Sequence, residues 1–326
     1  MDFITAKEAA EHMIISASRR TDIPSYYSDW FYNRIKEGFV LARNPMNFHR
    51  ISRINLAPEV VDGIVFWTKN PLPMLDRLGE LKDYMYYFQF TITSYGKDVE
   101  PNLPNKPDVI ISAFKKLSEM IGVDRVIWRY DPILINAKYS MEYHVEAFEK
   151  IAKELRDYTR KVTVSFIDEN YRGVKDNIKE PALSDFPTAN RTELSSRLAD
   201  IAHSFGLTVD TCAERTDLHP YGIEHARCID DRLFAKLLGC RLNIEKDKTQ
   251  RLECGCVTSI DIGMYNTCKT GCHYCYANYI KNAAAGNFAK HNPCSPLISG
   301  EVGNDDKIND RAVKSYRNSQ MQLFDL

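Results

Sequence analysis

All nine cysteines of this 326-residue chain lie between positions 212 and 294, and none occurs in the first 211 residues. A disulfide scaffold spreads its cysteines through a short secreted chain, and this chain is long and opens with no basic stretch followed by an apolar core. Thiols gathered in one third of a long sequence instead point to thiolates collected around metal. The composition agrees with a globular protein: 44% hydrophobic, 27% charged and a net charge of −1. Near-neutral charge excludes a protein that wraps nucleic acid by bulk electrostatics. No apolar run reaches the roughly 18 residues of a membrane span, so a cytoplasmic protein without a membrane partner is expected.

The pattern predicts an α/β fold. Short β-rich runs at Met13–Ser18, Gly63–Trp67, Met85–Thr93, Arg125–Tyr130, Lys161–Phe166, Thr208–Cys212 and Val257–Ile262 alternate with amphipathic stretches. Those stretches are Tyr26–Glu37, Leu72–Leu81, Lys106–Ile121, Met141–Leu155, Thr192–Phe205 and Asp231–Leu238. Such alternation implies parallel strands with crossover helices, in a TIM-type or partial (β/α) barrel or an open doubly wound sheet. Ala42–Ile54 reads as a hairpin around Asn44-Pro45. Residues 1–285 form the expected barrel, with a Cys-rich segment at 210–276, and residues 286–326 a polar tail. Polar residues close several strands: Arg19 to Asp22, Thr68 to Asn70, Thr91 to Thr93, Arg129 to Asp131 and Asp168 to Asn170. In a barrel these fall on the rim that carries active sites.

Cys268-Lys-Thr-Gly-Cys272-His-Tyr-Cys275 has C-x3-C-x2-C spacing. Three thiolates in one compact loop suit a [4Fe–4S] cube and leave one iron open to another ligand. Zinc competes, with His273 as a fourth ligand. The bland reading packs the three cysteines on one helix face. Upstream, Cys254-Gly-Cys256 together with Cys212 and Cys228 supplies four more thiolates. They are enough to saturate an auxiliary [4Fe–4S] cluster, which the reading favours, or a zinc; alternatively Cys212 and Cys228 are buried small hydrophobes. Cys240 and Cys294 read as ordinary cysteines.

The loop, continued by Tyr276-Ala277-Asn278, resembles the cluster loop of the radical S-adenosylmethionine (AdoMet) superfamily. The rest of the chain resembles its spore photoproduct lyase-like branch, whose T-D-P, T-K-S, S-I-T and R-x-D-P motifs correspond to Thr21-Asp22-Ile23-Pro24, Thr68-Lys69-Asn70, Thr91-Ile92-Thr93 and Arg129-Tyr130-Asp131-Pro132. The cluster loop stands last here rather than first. The resemblance therefore implies a circularly permuted barrel, with strand Val257–Ile262 beside strand Met13–Ser18. The motif order also resembles an uncharacterised bacterial family known only as a domain of unknown function. By resemblance, Cys268, Cys272 and Cys275 bind the cluster, Lys69 faces the AdoMet carboxylate, and Thr21 and Asp22 meet its amino group. Thr91 and Thr93 are carried over with them as cofactor contacts, and Arg129 and Asp131 stand near ribose or substrate. Asn70 replaces the branch's serine. The activity implied is reductive cleavage of AdoMet to a 5′-deoxyadenosyl radical, fed by a donor such as flavodoxin or ferredoxin, on an unspecified substrate.

Two other readings stay open. A non-catalytic iron–sulfur or zinc protein would transfer electrons or dock a partner. A DNA-repair enzyme would bind the sliding clamp through the terminal Gln320-Met-Gln-Leu323-Phe324, which resembles a clamp-binding peptide. Arg19, Arg20, Arg43, Arg50 and Arg53 could make a basic patch, and Glu214-Arg215 reads as a surface pair. His49, His144, His203, His219 and His225 lack ligand spacing, and no phosphate loop or Ser/His/Asp set is evident.

Overall fold

The computed structural model describes residues 13–168, 174, 188–280 and 282–312. Gln320 to Phe324 lie outside them, as do Glu169 and Asn170. The strands are β1 (Met13–Ala17), β2 (Phe39–Asn44), β3 (Asn47–Asn55), β4 (Val61–Thr68), β5 (Tyr86–Thr91), β6 (Val126–Ile133), β7 (Lys161–Phe166), β8 (Thr208–Thr211), β9 (Ile223–His225), β10 (Ile260–Asp261) and β11 (Lys307–Asp310). The helices are α1 (Ile23–Tyr26), α2 (Ser28–Glu37), α3 (Leu72–Leu75), α4 (Ile111–Ile121), α5 (Met141–Leu155), α6 (Thr188–Ser204), α7 (Asp231–Leu238) and α8 (Ala283–Ala289).

Eight strands form one parallel sheet in the order β10-β1-β4-β5-β6-β7-β8-β9. This arrangement requires crossover connections, since a parallel neighbour cannot be reached by a hairpin. The strand of this sheet that comes last in sequence, β10, closes one edge beside the first: Ile15 pairs with Ile260 and Ser16 with Asp261. That is the adjacency the motif order predicts, although β10 is two residues long where a six-residue strand is expected. The other edge is β9, and among the described residues no ladder joins it to β10. Instead, the segments next to these edges touch, with Val257 N–H donating to Ile229 C=O at 3.2 Å.

The period of two along each strand separates two cores. Met13, Ile15 and Ala17 of β1, Ile64 and Phe66 of β4, Tyr86, Phe88 and Phe90 of β5, and Val126, Trp128 and Tyr130 of β6 pack towards the helices. The alternate residues Ile14, Val65, Tyr87 and Ile127 join a second core with Phe234, Cys228, Cys254 and Cys256. The Cys-rich segment thus covers the face of the sheet that the crossover helices leave open. One contact is tight. A Cβ on Gly63 of β4 would lie 2.0 Å from the ring of Phe234 on α7. Gly63→Val is expected to destabilise the fold by about 3 kcal/mol or more, and Gly63→Val with Phe234→Ala to recover part of it in chemical denaturation. Equal loss in the single and double variants would refute this packing account.

Part of the stretch read as a polar tail is built into the fold. Residues 283–289 form α8, and β11 pairs with β3 in parallel, giving a side sheet β11-β3-β2. Its strand Lys-Ile-Asn-Asp is polar because both faces are exposed, so periodicity carried no signal. Arg43 lies in β2 and Arg50 and Arg53 in β3; Arg43 forms a double hydrogen bond with Asp306 at 2.9 and 2.8 Å. Among the described residues no helix is long and apolar enough to cross a membrane.

Candidate active site

A cavity of about 400 Å³ opens at the C-terminal ends of the parallel strands. Its walls come from the residues after β1 (Arg19 to Asp22), the end of β4 (Trp67 to Lys69), Thr91, Arg129, Asp131 and the residues after β7. Cys212 and Cys228 follow β8 and β9 into it, and Cys254, Cys256, Cys268, Cys272 and Cys275 complete the lining. All seven predicted metal-binding cysteines therefore meet one space, from segments up to 63 residues apart in sequence, as Cys212 and Cys275 are. None is in a disulfide.

The 268–275 segment is a succession of turns, which disposes of the helix-face reading. Gly271, at φ +73°, makes one turn that most L-residues adopt only at a cost. His273 is exposed and outside the lining, so the structure gives no support to it as a fourth ligand for zinc. Tyr27 O–H donates to Thr267 C=O at 2.7 Å, and Asn278 Nδ2 to Cys268 C=O at 2.7 Å, pinning both ends of the loop. Burial pushes the Cys268 thiol up to about 12, and raises those of Cys272 and Cys275. Without a cation these thiols keep their protons; a metal reverses that preference and displaces the protons as it binds. Among the described residues no three His, Cys, Asp or Glu side chains close on one point at single-ion distances. A four-iron cube asks for something different, because each thiolate sits on its own iron.

The carboxylate of Asp22 is buried and already employed. Oδ1 accepts from Ser25 N–H at 3.0 Å, capping α1, and Oδ2 accepts from Lys69 N–H at 2.8 Å. Burial raises its pKa. Asp22 thus fixes the β1 and β4 strand ends to one another, and Thr21 Oγ1 is left buried without a hydrogen-bond partner.

Lys69 leads to a residue that sequence reasoning overlooked. Its Nζ donates to Glu100 Oε1 at 2.8 Å. Glu100, with a fully buried side chain, also binds Lys106 Nζ, the Tyr274 hydroxyl of the cysteine loop, and Thr93 Oγ1 at 2.9 and 3.0 Å. Burial opposes ionisation of Glu100, but the charges of Lys69 and Lys106 outweigh it and hold its pKa down to about 2. Thr93, expected among the cofactor contacts, is buried in this cluster and does not line the cavity. Glu100 sits in the loop between β5 and α4, in Pro-Asn-rich sequence without periodicity, so only the fold brings it to Lys69.

Arg129 is buried. It donates to Asp131 Oδ2 through Nε at 3.0 Å and also through Nη2, while Nη1 donates to Gln89 Oε1 at 3.2 Å and Cys228 Sγ at 2.9 Å. Asp131 in turn accepts from Ser165 Oγ. Cys212 and Cys228 stand 3.5 Å apart at sulfur. Hydrogen bonds from the Cys212 and Cys256 thiols lower the Cys228 pKa well below its usual value, and Arg129 adds to this against the effect of burial. Glu214 corrects the surface-pair expectation. It is half-buried and accepts from Phe166 N–H at 2.8 Å, while Arg215 pairs with Glu253.

Residues 14–277 match the family described as Domain of unknown function (DUF1848). The chain belongs to the DUF1848 family. The DUF1848 region begins inside β1 and ends two residues beyond Cys275, so it spans the eight-stranded sheet and the whole cysteine loop. No curated protein matches the chain.

Proposed function

We propose that this DUF1848 protein is a radical AdoMet enzyme built on a circularly permuted partial (β/α) barrel. One observation carries the reading. The C-x3-C-x2-C loop shares a single cavity with Thr21, Asp22, Lys69, Thr91, Arg129 and Asp131, six of the seven rim residues that the resemblance selects, Thr93 being the exception. The donor set fits a [4Fe–4S] cluster, being three free thiols on one short loop that line the same cavity.

When bound, the cluster and AdoMet supply a reducible iron and a radical able to abstract hydrogen. The chain binds and orients. Cys268, Cys272 and Cys275 hold the cluster at the cavity wall. Lys69 and Lys106 share the single carboxylate of Glu100, and of these two lysines Lys69 lines the cavity, where its ammonium group suits the AdoMet carboxylate. Thr21 Oγ1 has its hydrogen-bonding capacity to spare for the same end of the ligand. Trp67, Tyr265, Tyr274 and Tyr276 line the space with aromatic surface and limit water. A one-electron donor such as flavodoxin or ferredoxin completes the scheme.

The test is anaerobic reconstitution with iron and sulfide, then dithionite and AdoMet, with chromatography of the products. The parent is expected to form 5′-deoxyadenosine and the Cys272→Ala variant to fall to background. A loaded, reducible cluster that leaves AdoMet intact would refute the enzyme reading and favour electron transfer.

A further inference from the structure

Four of the cavity's seven cysteines are not used by this scheme. We propose that Cys212, Cys228, Cys254 and Cys256 form a second metal centre, a four-thiolate site for a thiophilic metal, separate from the Cys268–Cys275 loop. The reading does not depend on AdoMet chemistry.

Three chain segments supply the ligands: Cys212 directly after β8, Cys228 after β9, and Cys254 with Cys256 ahead of β10. All four line the cavity and lie in one packed core, where Cys228, Cys254 and Cys256 are buried. The 3.5 Å between Cys212 and Cys228 is close to the separation of two thiolates sharing one tetrahedral ion, roughly 3.8 Å for metal–sulfur bonds of about 2.3 Å. Among the described residues no three such side chains stand at single-ion distances, so Cys254 and Cys256 have to close in on this pair from the neighbouring loop.

The surroundings are those of a buried anion. The Arg129 guanidinium places Nη1 2.9 Å from Cys228 Sγ, although a neutral thiol is a poor acceptor for a desolvated cation. Four thiolates around a divalent ion or an iron–sulfur core leave net negative charge, and a guanidinium at the sulfur is its natural counter-ion. Ile229 N–H approaches Cys256 Sγ at 3.4 Å, the type of bond that supports ligating sulfur. Backbone around Cys228 is itself fixed, its carbonyl accepting from Tyr87 O–H at 2.7 Å and Gln89 Nε2 at 2.9 Å. A metal here ties the β8 and β9 ends to the segment entering β10, across the gap between the two edges of the sheet.

The experiment uses the full chain carrying Cys268→Ala, Cys272→Ala and Cys275→Ala, purified without oxygen. This variant is expected to retain stoichiometric metal: iron with sulfide if the centre is an iron–sulfur cluster, zinc without sulfide if it is mononuclear. Alkylation of Cys212, Cys228, Cys254 and Cys256, read by mass spectrometry, is expected to be at least tenfold slower than after chelation. Adding Cys228→Ser and Cys256→Ser is expected to abolish retention. A folded triple variant that holds no metal, alkylates at the same rate with and without chelator, or contains a Cys212–Cys228 disulfide would overturn the proposal. The triple variant decides the question even where the further substitutions prevent folding.

Discussion

Glu100→Gln is expected to lower stability by about 3–5 kcal/mol, the usual cost of removing one partner from a buried charge network. Glutamine keeps the shape but leaves the Lys69 and Lys106 ammonium groups facing each other without a counter-charge. Chemical denaturation at neutral pH measures the loss, and Lys106→Met, which leaves one cation for one anion, is expected to lose less. The pH dependence adds a second check. A carboxylate whose folded pKa lies near 2, against 4.5 in the unfolded chain, contributes fully above pH 4.5 and loses that contribution as pH falls towards 2. The stability gap between parent and variant is therefore flat above pH 4.5 and shrinks below it. If Glu100→Gln matched the parent at neutral pH, the lysines would have to find water, and the account of a dry cluster of two cations on one anion would fail. AdoMet binding, followed by equilibrium dialysis, is expected to weaken in the variant as Lys69 loses its anchor.

The second large effect is expected at Asp261. Its side chain is buried in the two-residue β10 and accepts from Ser16 Oγ at 2.6 Å, Ser18 Oγ at 2.7 Å, Arg19 N–H at 2.9 Å and Gly263 N–H at 3.0 Å. Two backbone ladder positions cannot hold an edge strand alone, so this carboxylate is the main tie between β10 and β1. Gly263 tightens the join, since a Cβ there would sit 2.1 Å from Ser18 Oγ. Asp261→Ala leaves several buried donors unsatisfied and is expected to cost on the order of 3–5 kcal/mol. Asp261→Asn, which keeps one acceptor oxygen, is expected to fall between. Hydrogen exchange at Ile262, whose amide donates to Ser16 C=O at 3.1 Å, reports detachment directly. Unchanged protection of that amide in Asp261→Ala would show that the strand holds without the carboxylate.

Much of this architecture is legible in the sequence, for identifiable reasons. Met141–Leu155 and Asp231–Leu238 match their helices to the residue because capping side chains mark the starts: Ser140 Oγ accepts from Tyr143 N–H and the Asp230 carboxylate from Arg232 N–H. Gly239, at φ +66°, marks the stop of the second. The parallel strands announced themselves as β-branched and aromatic runs, being covered on both faces. β9 and β11 did not, because three or four residues with polar side chains hold no periodicity. The seven candidate ligand cysteines and the rim residues of β1, β4, β5 and β6 are readable from motif order, and the cavity gathers all of them but Thr93. Glu100, Lys106 and Asp261 are not, because each acquires its role only from residues far along the chain, and no local spacing records that.

The pairing of β10 with β1 also sets an order of events during synthesis. Ser16 and Asp261 are 245 positions apart, so the edge of β1 stays open while β4 to β9 emerge and pair. During that interval the nascent chain presents Met13 to Ala17 as an apolar strand with unpaired backbone groups, the form most exposed to association with other chains. The thiols that close the cavity arrive on a rim already assembled, which makes their burial a late step. A ribosome that stalls before residue 260 therefore releases a sheet lacking both its edge cover and the Cys268–Cys275 loop. Quality control of this protein turns on whether its final third is delivered.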